Sequence, residues 1–376
     1  MIAHRCWAEI DLAALERNLA LIRDSLPGGI RYISVVKADA YGHGIHATAA
    51  RLMQSKVDVF AVANVREATE IREMGSGWPI LILGPLLEEE DEAVVDFDLI
   101  PTLSSENELR RFIKLSHKYQ KQISVHLKID SGMGRHGIWW QYASELIEKT
   151  VSSKEIKICG ALTHFAQPSD LEFTVKQREN FLTVLNHLKI QNETNFLVHA
   201  DNSSSLRSFD SENIFNAVRI GLLQFGISPP QGSILANLAV EPVLSFHSRL
   251  AMIKYLPIGT TLSYGREYKL NRDSKIGIIS AGYGDAIPLP CGNRAHGLID
   301  GNSYPLVGRV TMDQTLIDLT DAPPHIKIGE RVTLIGNQKE KRILLAELAK
   351  HSDTIPWELL CSITKRVTRI YTTNRK

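Results

Sequence analysis

RYISVVKADAYGHG, from Arg31 to Gly44, contains a short, mostly apolar run that ends on a lysine, Lys37. Tyr32–Val36 is built from β-branched, aromatic and other apolar residues with no alternating polar face, the pattern of a strand buried on both sides in a parallel sheet. Seven further runs share its texture: 57–63, 79–83, 99–103, 123–129, 158–163, 196–199 and 217–220. Between them lie stretches with helical spacing at 11–25, 65–75, 104–119 and 174–188, with Asp11 and Ser104 as expected N-caps. Eight strands with helical crossovers predict an α/β fold, a (β/α)₈ barrel over residues 1–235, near the roughly 250 residues usual for that fold. An open doubly wound sheet is the alternative, and the strand count favours the barrel.

After about Pro229 helical spacing thins out and strand-like runs with turn residues take over, at 245–255, 275–280, 331–335 and 367–371. Residues 343–351 alone read as a helix there. A second, mainly β domain is therefore expected over 236–376, and the early run Cys6–Ile10 is expected to pair with it. A chain of 376 residues accommodates two such domains, since single cores rarely grow past about 250–300 residues.

Charged residues are 23% and apolar ones 44% of the chain, with a formal net charge of +1, so neither nucleic acid nor an acidic membrane surface is expected as a partner. The basic stretch Lys365–Arg369 reads as a solvated face. The four cysteines are scattered and form no CxxC pair, so no zinc site or disulfide framework is suggested. His43 and His46 lack an evident third metal ligand. The start MIAHRCWAEI is not a secretory signal, no stretch reaches the roughly 18 apolar residues that span a bilayer, and the chain is expected to be cytoplasmic.

In a barrel the active site forms where the strands end. Lys37 closes strand one, Arg135 follows strand five, His164 ends strand six, His199 ends strand seven and Arg219 lies in strand eight. A lysine directly after an apolar strand is partly desolvated, which favours its neutral form, and a neutral amine condenses with aldehydes. A lone strand-end lysine is more often a snorkelling one. Asp39, Tyr41 and His43 beside it, with Gly42 and Gly44 permitting close backbone approach, weigh the other way. HADNSSSL, His199–Leu206, can open a short helix whose N–H groups face an anion, and Gly221 gives a second point of approach. A simple helix cap at Asn202-Ser203 is the plainer reading.

At this point Val35–Gly44 resembles the cofactor-lysine signature of the alanine racemases, and the likeness runs from about Trp7 to Tyr371. The resemblance implies a racemase, an isomerase using pyridoxal 5'-phosphate bound covalently to Lys37. It implies that Ser203 with Asn202, the backbone at Gly221 and Leu222, and Tyr41 hold the phosphate. Arg219 would face the pyridine nitrogen and keep it unprotonated, a restrained electron sink, with His164 and His199 in support. In KIDSGMGRHG, Lys128–Gly137, Arg135 would help place the substrate carboxylate. Lys128 matches a lysine that is carbamylated in many members; an ion pair with Asp130 is the alternative. Tyr264, in LSYGREY, would be the second base opposite Lys37, entering from the other subunit of a homodimer, and Met312, Asp313 and Tyr283 would line the substrate end.

Three positions depart from the family pattern. Asp201 replaces a small residue, GYGDAIP changes the residues flanking Asp285 while keeping Tyr283, and Trp357 stands where a phosphate-binding, gating tyrosine is usual. Indole has one N–H donor and cannot accept. The expected reaction is the interconversion of L- and D-alanine by two bases, supplying D-alanine for peptidoglycan. The alternatives are a broader amino-acid racemase that takes serine, a pyridoxal-dependent decarboxylase, and a non-enzymatic carrier of the cofactor. A decarboxylase would be expected to carry an acidic residue where Arg219 stands. A carrier would need neither Tyr264 nor a second domain.

Overall fold

The computed structural model of the chain describes residues 4–188, 195–206, 214–229 and 232–373. Met1–Ala3 of the starting peptide lie outside them. The chain forms two compact units. One comprises Leu15–Ala40 and Ile45–Glu241; the other gathers the residues through Ala14, the short segment Tyr41–Gly44, and the chain from Pro242 onward.

The first unit is built on eight short strands: β1 (Arg31–Val35), β2 (Val59–Val62), β3 (Ile80–Ile82), β4 (Thr102–Leu103), β5 (Ile123–Asp130), β6 (Ile156–Leu162), β7 (Leu197–His199) and β8 (Ala217–Ile220). All neighbours are parallel, in two ladders, β8-β1-β2-β3 and β4-β5-β6-β7. Single bridges join the ladders. Leu81 pairs with Ile100 and Asn202 with Arg219, and Asn216 N–H donates to the Val198 carbonyl at 3.1 Å. The ring is therefore a closed (β/α)₈ barrel. Every residue of β2, β3 and β8 is buried, which is why these runs lack polar alternation: interior side chains fill the barrel while the opposite face meets helices.

Helices start where the capping side chains stand. Asp11 accepts from the N–H groups of Ala13 and Ala14, both at 2.9 Å, at the head of Leu12–Ser25. Asn64 caps Val65–Met74 by accepting from Glu67 N–H at 3.0 Å. Ser105, not the expected Ser104, caps Glu106–Tyr119; Ser104 instead donates its own N–H and hydroxyl to Glu108, so the two serines divide a reciprocal cap. The helix expected over 174–188 begins a turn earlier, at Leu171, because Asp170 accepts from Phe173 N–H.

The second unit centres on a nine-stranded sheet. Its long strand, Leu244–Leu256, pairs antiparallel with Cys6–Asp11, Ser274–Ile279 and Arg331–Gln338, with a register shift between Leu250 and Met252. Cys6–Asp11 also pairs in parallel with Thr368–Thr372, so the early run does join this unit as expected. The strands His296–Ile299, Asn302–Val307, Thr315–Asp318 and Lys341–Ile343 complete the sheet, and the helix Pro356–Cys361 follows Leu345–His351. Among the described residues no helix is long and apolar enough to cross a membrane, and no group of three or more metal-ligating side chains comes together.

Candidate active site

Lys37 is half-buried at the end of β1 and opens a turn of the wrong hand. Ala38, Asp39, Ala40 and Tyr41 all have φ between 52° and 54°. Left-handed helical geometry costs an L-residue roughly 1–2 kcal/mol, and four in succession persist only where the surroundings dictate them. Glu67 supplies part of that constraint: its carboxylate accepts from Ala38 N–H at 2.7 Å and from Ala63 N–H at 2.8 Å, tying the ends of β1 and β2. Asp39 accepts from Ile45 N–H at 2.7 Å and starts the next helix. In the second unit, a Cβ at Gly42 would meet the Leu360 carbonyl oxygen at 2.1 Å, so the close approach expected there is real. Leu360 sits on the helix that carries the half-exposed Trp357.

Arg219 is 4% exposed. One terminal nitrogen donates to His199 Nδ1 and to the His199 carbonyl, both at 2.8 Å. The other donates to the carbonyls of Thr163 (2.9 Å) and Ala200 (2.8 Å) and to His164 Nδ1 (3.2 Å). The remaining donor, Nε–H, takes no partner among the described residues. Because a guanidinium only donates, both histidines accept on Nδ1 and carry their protons on Nε2. His199 Nε2 then donates to His126 Nδ1 at 3.0 Å. Burial, and next the Arg219 charge, push His126 down to about 3 and hold His164 and His199 well below the usual imidazole range. The three rings are neutral, and the cationic charge of the network is that of Arg219. Burial also pulls Arg219 down to about 10, against the support of Asp201.

β7 runs into the loop expected to hold a phosphate. HADNSSSL folds as a turn rather than a helix: Asn202 Oδ1 accepts from Ser204 and Ser205 N–H, at 2.9 and 3.2 Å. The Asn202 oxygen is therefore occupied in shaping the loop. Ser203 Oγ is buried without a hydrogen-bond partner among the described residues. Ile220 pairs with Ser34, which sets Gly221 beside the end of β1 that carries Lys37, and Leu222–Phe225 begins there as a 3₁₀ turn.

Asp130 is not paired with Lys128. Its two oxygens accept the N–H groups of Gly132, Met133, Gly134 and Arg135 at 2.8–3.1 Å, folding the loop that presents the exposed Arg135. Burial raises the Asp130 carboxyl, and these donors outweigh it and hold it below the ordinary carboxylate range. Lys128 is 6% exposed, and burial with the charges of Arg219 and Arg135 brings it down to about 7.

The remaining expected residues lie in the second unit, on loops tied to one another. Ser263 Oγ donates to the Arg309 carbonyl at 2.6 Å, Tyr283 N–H to Thr311 at 3.0 Å and Gly284 N–H to Met312 at 2.9 Å. Tyr264 is 72% exposed and follows Ser263, whose φ is +59°. Asp313 accepts from Arg366 at 2.7 Å, and Arg366 also reaches Asp285 at 3.2 Å.

Residues 10–229 match the model of the alanine racemase N-terminal domain and residues 243–371 that of the C-terminal domain. The chain belongs to the alanine racemase family. It is 37% identical to the alanine racemase of Halothermothrix orenii, over 98% of this chain and 97% of that one. It is 35% identical to that of Prochlorococcus marinus, over 97% and 96%. Among solved structures, the Bacillus anthracis alanine racemase with bound L-Ala-P superposes with a TM-score of 0.90 at 32% identity, covering 100% of this chain and 97% of that one. The Bartonella henselae enzyme with covalently bound pyridoxal phosphate gives 0.87 at 26% identity, covering 99% and 100%. The likeness drawn from Lys37 and its neighbours thus extends over both units, and the barrel and the β-rich second unit are those of the family.

Two residues around the family's lysine and arginine escaped the sequence reading. His126 was passed over, although His126, Lys128 and Asp130 alternate along β5 and so share a face. Its ring lies over Gly160, where an added Cβ would come within 2.5 Å of it. Glu67 was legible as the last residue of the Asn64-x-x-Glu67 box that starts its helix, but the box gives no sign that the carboxylate also reaches Ala38.

Proposed function

We propose that this chain interconverts L- and D-alanine with pyridoxal 5'-phosphate held on Lys37, as a cytoplasmic homodimer in which each subunit lends residues to the other's site. One observation carries this reading: Lys37, Gly221, Arg219 and Ser203 occupy the adjacent ends of β1, β8 and β7 in a closed barrel. The side chains fit the cofactor. Ser203 Oγ is a buried hydroxyl still to be partnered, suited to a phosphate oxygen, and Arg219 Nε–H is a donor suited to a ring nitrogen. Asn202 holds the loop in shape, Gly221 and Leu222 offer backbone N–H groups, and by the family likeness Tyr41 and Trp357 are further candidates for the phosphate.

Bound through Lys37, the cofactor supplies a sink for the charge left when the substrate's α-proton departs. Arg219 would donate to the cofactor's ring nitrogen and so keep it unprotonated, a restrained sink that suits a reaction which only removes and returns a proton. His164 and His199, neutral and accepting from Arg219, hold the guanidinium in place. Arg135 draws the substrate carboxylate, and Met312, Asp313 and Tyr283 bound the small space left for the side chain. Lys37 Nζ takes or returns the proton on one face. The hydroxyl of the partner subunit's Tyr264 serves the other, and the exposure of Tyr264 and Met312 within a single chain supports that exchange. The product supplies D-alanine for peptidoglycan.

Incubating cofactor-loaded protein with L-alanine or L-serine and resolving the enantiomers chromatographically tests the assignment. Rapid D-alanine with slow D-serine is the expected result. Equal or faster D-serine would make this a broader racemase. No D-product from either would overturn the racemase reading.

Lys128 is the candidate for carbamylation. A carbamate forms from a neutral amine and CO₂ with release of a proton, and Lys128 near 7 supplies the neutral amine at physiological pH. Acidifying from pH 8 to 6 is expected to lower activity as this lysine charges, and added bicarbonate to oppose the loss. Unfolded, the lysine keeps its proton up to about 10.5, so between about 7 and 10.5 the unfolded chain binds more protons. The contribution to stability is thus full above that range and is lost as pH falls to about 7. An identical pH and bicarbonate response in Lys128→Ala would remove the assignment.

A further inference from the structure

An ion pair between a half-buried arginine and a buried carboxylate stands at the same rim. The Asp201 carboxylate is 3% exposed, and one Arg178 nitrogen donates to both its oxygens, at 3.0 and 2.9 Å. The guanidinium lies over two buried rings, Phe165 at 5.4 Å and Phe215 at 4.7 Å. Four elements meet in this arrangement. Phe165 directly follows His164 after β6, Arg178 belongs to the helix Leu171–Leu185, Asp201 follows β7, and Phe215 precedes β8. Flat aromatic faces on a guanidinium fix its plane and leave its edge for the carboxylate.

Asp201 is also bound into the site by its backbone. Its carbonyl accepts from Arg219 N–H at 3.1 Å, and it stands two residues before Ser203. Its charge supports that of Arg219, the cation which burial weakens. The same negative charge opposes a phosphate dianion at Ser203. An isolated buried carboxylate would either repel the anion or take up a proton, and in both cases the loop would be disturbed.

We propose that Arg178 is a positioning residue for the cofactor phosphate: braced against Phe165 and Phe215, its guanidinium holds the Asp201 carboxylate turned from the anion and fixes the loop that carries Ser203. The inference rests on the assignment of the Ser203 loop to the phosphate. Asp201 is thereby free to balance Arg219 on one side while its field toward the loop is cancelled by Arg178 on the other.

The test uses the full chain freed of cofactor and titrated separately with pyridoxal 5'-phosphate and with pyridoxal, which lacks the phosphate. The wild type is expected to prefer the phosphorylated form. Arg178→Met is expected to lose about tenfold or more in affinity for it, with pyridoxal changed by less than about threefold, as for a buried charge left without its partner. Adding Asp201→Asn to Arg178→Met removes the orphaned charge and should restore affinity to within about threefold of wild type. Arg178→Lys, which keeps the charge but not the flat guanidinium, should fall between wild type and Arg178→Met. Equal weakening of both ligands in Arg178→Met, or no recovery in the double variant, would overturn the inference and make the pair a packing element. Ser203→Ala separates the two levels. If it loses the preference while Arg178→Met keeps wild-type binding, the pair is excluded and the loop stands. If the wild type itself shows no preference for the phosphorylated form, the loop assignment fails and the inference with it.

Discussion

Lys37→Ala is expected to abolish racemisation in both directions, by at least about 10⁴-fold in kcat. Two losses combine. On the proposed reading the cofactor's covalent anchor would disappear, and with it the base on one face, which alone is worth roughly 10²–10⁴. Because Lys37 is half-buried and its turn is held from the backbone by Glu67 and Asp39, the substitution should leave the fold intact. Unchanged circular dichroism with no covalent cofactor after borohydride treatment would accompany the loss. Substantial activity in a well-folded Lys37→Ala would remove Lys37 from the site.

Tyr264→Phe distinguishes the two faces. The ring is 72% exposed in the single chain, and surface substitutions usually change stability by less than about 0.5 kcal/mol. A phenol acts as a base only beside positive charge, which favours its ionised form. The expected result is a loss of roughly 10²–10³ in proton removal from L-alanine. Exchange of the α-proton of D-alanine with deuterated solvent, catalysed by Lys37, should persist. Equal and small effects of the Lys37 and Tyr264 substitutions on that exchange would refute the two-base assignment.

Much of the barrel could be read from the chain because its strands announce themselves. Eight short apolar runs appear, and Lys37, His164 and His199 stand at or just beyond the ends of β1, β6 and β7, as expected. What closes the ring was not legible. Two single bridges, at Ile100 and Asn202, depend on register, and register leaves no local mark on residues buried on both faces. The left-handed turn was hidden for a different reason. Ala38, Asp39, Ala40 and Tyr41 are not the glycines that normally signal such geometry, and the hydrogen bond that favours it comes from Glu67, a residue distant in sequence. In the second unit, His296–Ile299 and Thr315–Asp318 are four residues each, too short for a periodic signal, and Pro305 interrupts the look of Asn302–Val307. The site residues of that unit came from the resemblance alone, since an exposed tyrosine in a β-rich stretch carries no chemistry of its own.

The path of the chain has a consequence for how such a protein can be inherited. The polypeptide crosses between its compact units after Ala14, Ala40, Gly44 and Glu241, and Cys6–Asp11 is hydrogen-bonded between Leu244–Leu256 and Thr368–Thr372. A gene fragment beginning at Pro242 would encode a sheet with a missing interior strand and two bare edges, an invitation to aggregate. A fragment ending at Glu241 would carry that strand with nothing to pair it. No single recombination joint near the expected boundary at residues 235–236 can therefore exchange one unit and keep the other whole. The two halves must be copied, lost and acquired together, and a shuffled descendant would have to carry its first eleven residues along with its tail.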